Sequence, residues 1–286
     1  MVKFDVEGAQ NVEVSIKIPC EKSMPEQLEI MERYTATHKK YNRYSKERRE
    51  VECLKVIFPT LLRTIEEQDL IAGRLDFLPI GFGTVTSVGG VGHYCVFNKL
   101  RAFQNEIGPE YSDRVETLYR YWLDYDLKTI YCKEVLTDTT IGRFIDVEYP
   151  LIATARLSGM MLDYPKLLDN GIDGLKKILQ EKCTDGQDNE FCRCGIEALD
   201  IVAASAEYLK KQAQRLMEES SDEKRRKELQ TIADNLEKIR SEKPKTFPEA
   251  LQLFWLYAIM AGVINYGRLD DFLGPYLAKD LEEGRL

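Results

Sequence analysis

The sequence predicts a mainly α-helical chain with a few short strands. Ser23-x-x-Glu26, Ser220-x-x-Glu223 and Thr246-x-x-Glu249 are capping boxes, in which a hydroxyl and a carboxylate satisfy free amides at a helix start. Apolar residues also recur at helical spacing, above all Leu199, Val202, Ala206, Leu209, Ala213 and Leu216, the mark of a long amphipathic helix. Strand-like pattern is confined to Val12, Val14, Ile16 and Ile18, an extended arm within residues 1–20, and to the short run Leu70-Ile71-Ala72 before Gly73.

The 286 residues are 44% hydrophobic and 31% charged, which suits a globular chain with a sizeable core. A net charge of −8 leaves no basic field for nucleic acid. No apolar run reaches membrane length, so no nucleic-acid or membrane partner is expected, and the expected location is the cytoplasm. Seven cysteines are scattered along the chain. The tight group Cys183, Cys192 and Cys194 lacks the paired spacing of a structural zinc site and has no histidine beside it. No metal is expected there.

Along residues 21–184, Leu28, Met31, Tyr34, His38 and Tyr41 form one helical stripe with His38 as a packed imidazole. Val51, Leu54, Ile57, Leu61, Leu62 and Ile65 form a second stretch, which Pro59 breaks near Phe58. Residues 79–95 hold five glycines. They match no phosphate-binding spacing, and form either a tightly packed loop or one that brings His93, Tyr94 and Cys95 to a cavity wall. Ser112 is expected to cap a helix through Val115, Leu118, Trp122 and Tyr125, and a further helix is expected over Ile172–Glu181. Residues 185–286 supply a helical hairpin, with Ala203 to Ala206 permitting close approach, and then a central helix. That last helix is apolar on every face from Leu251 to Met260, so it belongs inside a large domain.

Phe247-Pro248-Glu249-Ala250-Leu251-Gln252-Leu253-Phe254-Trp255, then Gly267-Arg268-Leu269-Asp270, Pro275-Tyr276 and Lys279-Asp280-Leu281-Glu282-Glu283-Gly284 resemble, in order and spacing, the glycyl-radical enzymes of the pyruvate formate-lyase type. Asp163-Tyr164-Pro165-Lys166 and Gly171-Ile172-Asp173-Gly174-Leu175 follow the same pattern. The resemblance implies the N-terminal helical part of the glycyl-radical enzyme α/β barrel fold. It implies a parent enzyme of lyase or dehydratase type that cleaves a C–C, C–O or related bond of a small molecule in anaerobic metabolism. It also implies a glycyl radical installed by a radical-SAM iron–sulfur activase, and a homodimer.

Neither the family's Gly-Cys-x-Glu loop nor its C-terminal glycine loop is present in these residues. The expectation is therefore a fragment with no catalytic residue and no bound cofactor, inert by itself and completed by a C-terminal complementary fragment. A stand-alone helical binding or regulatory module built on that scaffold is the alternative. The positions matching the family's substrate-reaching Gly-His or Arg are Gly159 or Met160, which argues against pyruvate and the usual polyol chemistry. Substrate-wall positions map onto Asn265 and Tyr266, with Arg268 and Asp270 either in the wall or in a structural ion pair; His93 is the remaining candidate.

Overall fold

In the computed structural model, which describes residues 20–80, 96–125, 134, 161–184, 189–262 and 265–286, both bonds of the Ser23–Glu26 capping box form at the start of α1 (Met24–Tyr41). Helix α2 (Lys46–Ile57) follows and ends at Phe58, where Pro59 cannot continue it. Then come α3 (Val96–Ile107) and α4 (Ser112–Trp122), α5 (Tyr164–Thr184) and α6 (Glu190–Glu219), α7 (Glu223–Ile239), α8 (Phe247–Ala261) and α9 (Leu269–Glu282). Single 3₁₀ turns flank α4.

The mainly helical expectation holds, and among the described residues no strand forms. Among the described residues the only sheet-like pairing is an isolated bridge between Leu62 and Leu75. Residues 70–74, read as a buried strand, are irregular backbone with Leu70 66% exposed. The physical reason lies in α8. The Gln252 side-chain amide accepts from Ala72 N at 2.8 Å and donates to Ala72 O at 2.7 Å. Trp255 Nε1 donates to Gly73 O at 2.6 Å. With both Ala72 groups taken by a side chain, no ladder partner is needed. Gly73 has φ +125, and a Cβ there would sit 3.0 Å from Ile259 Cδ1, so the close approach of loop to helix requires glycine. Residues 1–19 of the arm expected over residues 1–20, and residues 81–95 of the glycine-rich stretch, including His93, lie outside the described residues.

Two helix starts also differ from the sequence reading. Asp222, not Ser220, caps α7 by accepting from Lys224 N; Ser220 closes α6 instead. Ser112 lies inside α4, because a 3₁₀ turn over Pro109–Tyr111 starts the winding earlier. Helix α5 is two helical stretches joined across a kink at Gly171 (φ 65, ψ −178), and the second begins at Ile172, as the sequence reading expects.

Helices α6 and α7 pair as the expected hairpin. Ser205, Ala206, Leu209 and Ala213 of α6 meet Leu229, Ile232, Ala233, Leu236 and Ile239 of α7, all of them buried. Ala204 faces solvent. Arg225 ties the pair to the acidic turn, donating to the carbonyls of Glu66 and Asp69 at 2.7 and 2.8 Å. At the other end of the core, His38 is 1% exposed, with Nδ1 2.9 Å from the Tyr121 hydroxyl and its ring 4.7 Å from that of Trp122. Burial, and then the charge of Arg49, push this imidazole down to about 4. It is a neutral packing group, as its place on the inner stripe suggests.

Candidate functional site

Helix α8 positions the candidate site. Its first turn is pinned by Glu249, which is 2% exposed and accepts from the amides of Lys245 and Thr246 and from Lys238 Nζ at 2.6 Å. Burial alone would raise this carboxyl; Lys238 and the two amides outweigh it and hold it below the ordinary carboxylate range. Phe247 N also donates to buried Asp280 of α9 at 2.8 Å, and Arg285 pairs with the same carboxylate at 2.6 Å. The helix ends at Gly262 in the left-handed conformation, which releases the chain toward residues 265–268.

There two segments far apart in sequence meet. Gly267 (φ +63) lies against Met161, and a Cβ at 267 would overlap Met161 Sδ. Asn265 Oδ1 accepts from Gly267 N at 3.1 Å. Half-buried Tyr266 packs against Phe254 and Trp255, with ring centroids 5.8 and 6.1 Å apart. Next to it Tyr164 is fully buried between Phe254 and Phe272, at 4.8 and 5.1 Å. Among the described residues the Tyr164 hydroxyl has no hydrogen-bond partner. Burial, with the Tyr266 and Tyr257 hydroxyls nearby, pushes it up to about 12, so it stays protonated as a potential donor.

Of the sequence-predicted residues, the structure brings Asn265 and Tyr266 to this junction. It turns Arg268 and Asp270 outward, where they pair at 2.6 Å with side chains 79% and 70% exposed. A pair this exposed is screened by solvent and adds little to stability; it matches the ion-pair alternative of the sequence reading, formed at the surface. Gly159, Met160 and His93 lie outside the described residues. Sequence reasoning missed Tyr164 and Gln252. The signal for Gln252 was a lone amide inside an otherwise apolar helix, which must find partners when buried.

An apolar cavity of about 470 Å³ adjoins the junction, running between α5 and α6 over Leu54, Phe58, Tyr257, Met260 and Ala261. A smaller one of about 210 Å³ is lined by Cys20, Arg63, Arg74, Leu75, Asp76 and Phe77; Lys22 pairs with its buried Asp76 at 3.2 Å. Among the described residues no group of His, Cys, Asp or Glu is arranged to hold a metal ion. No described helix is long and apolar enough to cross a membrane. Burial pushes the Cys20 and Cys53 thiols up to about 12, and raises those of Cys183 and Cys194. These are stable thiols rather than reactive ones.

This arrangement is a helical region whose apolar helix α8 is set against a loop and an aromatic junction. The model of the family described as pyruvate formate lyase-like matches residues 7–286, and the chain belongs to that family. The probable dehydratase YbiW of Escherichia coli (strain K12) is 27% identical over 177 residues, 52% of this chain and 21% of the relative. The (2S)-3-sulfopropanediol dehydratase of Klebsiella oxytoca is 29% identical over 159 residues, 54% of this chain and 19% of the relative. The crystal structure of a glycyl radical enzyme from Archaeoglobus fulgidus matches with a TM-score of 0.65 at 20% identity, covering 93% of this chain and 38% of that one. The matches thus span about a fifth of the curated relatives' length.

Proposed function

We propose that residues 1–286 are the N-terminal portion of a glycyl radical enzyme of lyase or dehydratase type, cleaving a C–C, C–O or related bond of a small molecule. The observation that carries this reading is the match of the family model across residues 7–286, with the Thr246–Glu249 helix start and the Gly267-Arg268-Leu269-Asp270 turn both built as structural units. The portion's role is to form substrate wall. Asn265 and Tyr266 are its contacts; Arg268 and Asp270 stiffen the turn behind them, and His93 is a further wall residue.

None of the seven cysteines of this sequence stands in the Gly-Cys-x-Glu pattern expected of a radical-relaying thiol. The radical-bearing glycine and its cysteine partner are assigned to a complementary segment, loaded by a radical-SAM activase in the cytoplasm of an anaerobically growing cell. Without that segment the chain is inert. The test is anaerobic purification from the native source, with intact mass and electron paramagnetic resonance after exposure to the activase. A species far heavier than 33.0 kDa that contains these peptides and carries a glycyl radical doublet is expected. A chain of 33.0 kDa with no co-purifying segment and no doublet refutes the reading.

A further inference from the structure

Cys183, Cys192 and Cys194 are the tight thiol group of the sequence, and no part of the proposed substrate wall uses them. Helices α5 and α6 run antiparallel along one seam. Lys176 Nζ of α5 pairs with Asp200 of α6 at 2.7 Å, and a Cβ on Gly195 would meet Leu179 Cδ1 at 3.1 Å. About one turn beyond that contact, toward the end of α5 and the start of α6, the same seam sets Cys183 opposite Cys192. Their side chains are in hydrogen-bond contact. Lys182 and Phe191, the residues just before the two thiols, both line the apolar cavity, so the two helix ends also meet there.

The two thiols differ in access. Cys192 is 3% exposed, in the first turn of α6, where its amide donates to Asn189 Oδ1 at 3.2 Å. Cys183 is half-buried, in the last turn of α5. Cys194 stands apart from this pair. Residues two apart on a helix do not face each other, and Cys194 Sγ donates at 3.7 Å to Glu190 Oε1, the oxygen that Arg48 also holds.

We propose that Cys183 and Cys192 are a redox modification site, a reversible disulfide formed by exchange with a small-molecule disulfide, which ties the end of α5 to the start of α6. Cys183, the accessible thiol, attacks one sulfur of the small disulfide; its proton goes to the departing thiolate, and a mixed disulfide forms. Cys192 then attacks Cys183 Sγ, and the second small thiol leaves with the Cys192 proton. Two protein thiols are oxidised and one small disulfide is reduced to two thiols. Burial, then the Cys192 thiol, raises Cys183, offset in part by Arg193, so the first step is slow. The second step is intramolecular and is favoured by the high effective concentration of the adjoining thiol. In a reducing compartment such a disulfide is transient, forming when the surroundings turn oxidising.

The test is incubation of the folded chain with glutathione disulfide, followed by alkylation of the remaining thiols and peptide mass mapping without reduction. The 183–192 linkage is expected as the main product among the seven cysteines, and dithiothreitol should reverse it. At equilibrium with a glutathione buffer, the native chain should favour this disulfide by about ten-fold or more over the chain unfolded in urea. With circular dichroism confirming the fold of each variant, Cys192→Ser should stop at the mixed disulfide on Cys183. Cys183→Ser should leave buried Cys192 unmodified, and Cys194→Ser should change nothing. A native chain that keeps both thiols, a linkage through Cys194 in equal yield, or an equilibrium no more favourable than in urea overturns the proposal.

Discussion

Replacing Gly171 with alanine tests whether the bend in α5 is what fixes that helix to the rest of the core. Gly171 has φ 65 and ψ −178, a region that residues with a Cβ enter only at a cost of roughly 1–3 kcal/mol. The added methyl would also meet backbone: Lys243 N at 2.7 Å and the Glu242 carbonyl carbon and oxygen at 2.8 Å. Those atoms belong to the link between α7 and α8, which also receives the Asp173 amide through Ser241 O at 3.3 Å. It cannot yield without loosening that contact, and overpacking of this kind costs roughly 1–3 kcal/mol. The sum is about 4 kcal/mol, a large share of the ~5–15 kcal/mol available to a folded domain. In urea, with an m-value of roughly 2–3 kcal/mol/M, the midpoint should fall by about 1.5 M. Gly274→Ala is the control: nothing lies within 4 Å of a Cβ there and the position is helical, so it should stabilise by roughly 0.5–1 kcal/mol. A G171A midpoint within about 0.3 M of wild type would refute the reasoning.

Gln252→Leu keeps the volume but strands both the amide and the carbonyl of Ala72; a loss of about 2–4 kcal/mol is expected, with faster amide hydrogen exchange at Ala72, and a loss below about 0.5 kcal/mol would contradict the clamp. Tyr164→Phe removes a buried hydroxyl that has no partner among the described residues, so melting should be unchanged or improved by up to ~1 kcal/mol; a clear loss would show that the hydroxyl is bonded. His38 has its folded-state pKa lowered to about 4 from 6.5. The unfolded chain therefore binds the proton first, and stability present above about 6.5 is lost as pH falls toward 4. Comparing the pH dependence of wild type with that of His38→Gln isolates a contribution of roughly 1–3 kcal/mol across that window; identical slopes would sink the assignment.

How much was legible in the sequence differs from element to element for physical reasons. Two of the three capping boxes were read correctly, because Ser23 with Glu26 and Thr246 with Glu249 act within one turn. The third failed because Ser220 closes α6 with its own amide bonded to Leu216 O, and Asp222 is the nearer acceptor for the next helix. The buried stripes of α6 and α7 followed from periodicity, since each helix packs one face. The run Leu70–Ala72 was misread because its backbone partner is a glutamine 180 positions away, and local pattern carries no information about such a partner.

The candidate site divides in the same way. Motif order alone led to Asn265 and Tyr266 and placed the chain in its family. Only the tertiary structure set Met161 against Gly267, turned Arg268 and Asp270 to solvent and enclosed the Tyr164 hydroxyl between two phenylalanine rings. Helix starts, amphipathic faces and glycine turns are governed by neighbours within a few residues, so the sequence determines them. Burial, orphaned polar groups and exposed grooves depend on which distant faces meet, and packing decides those.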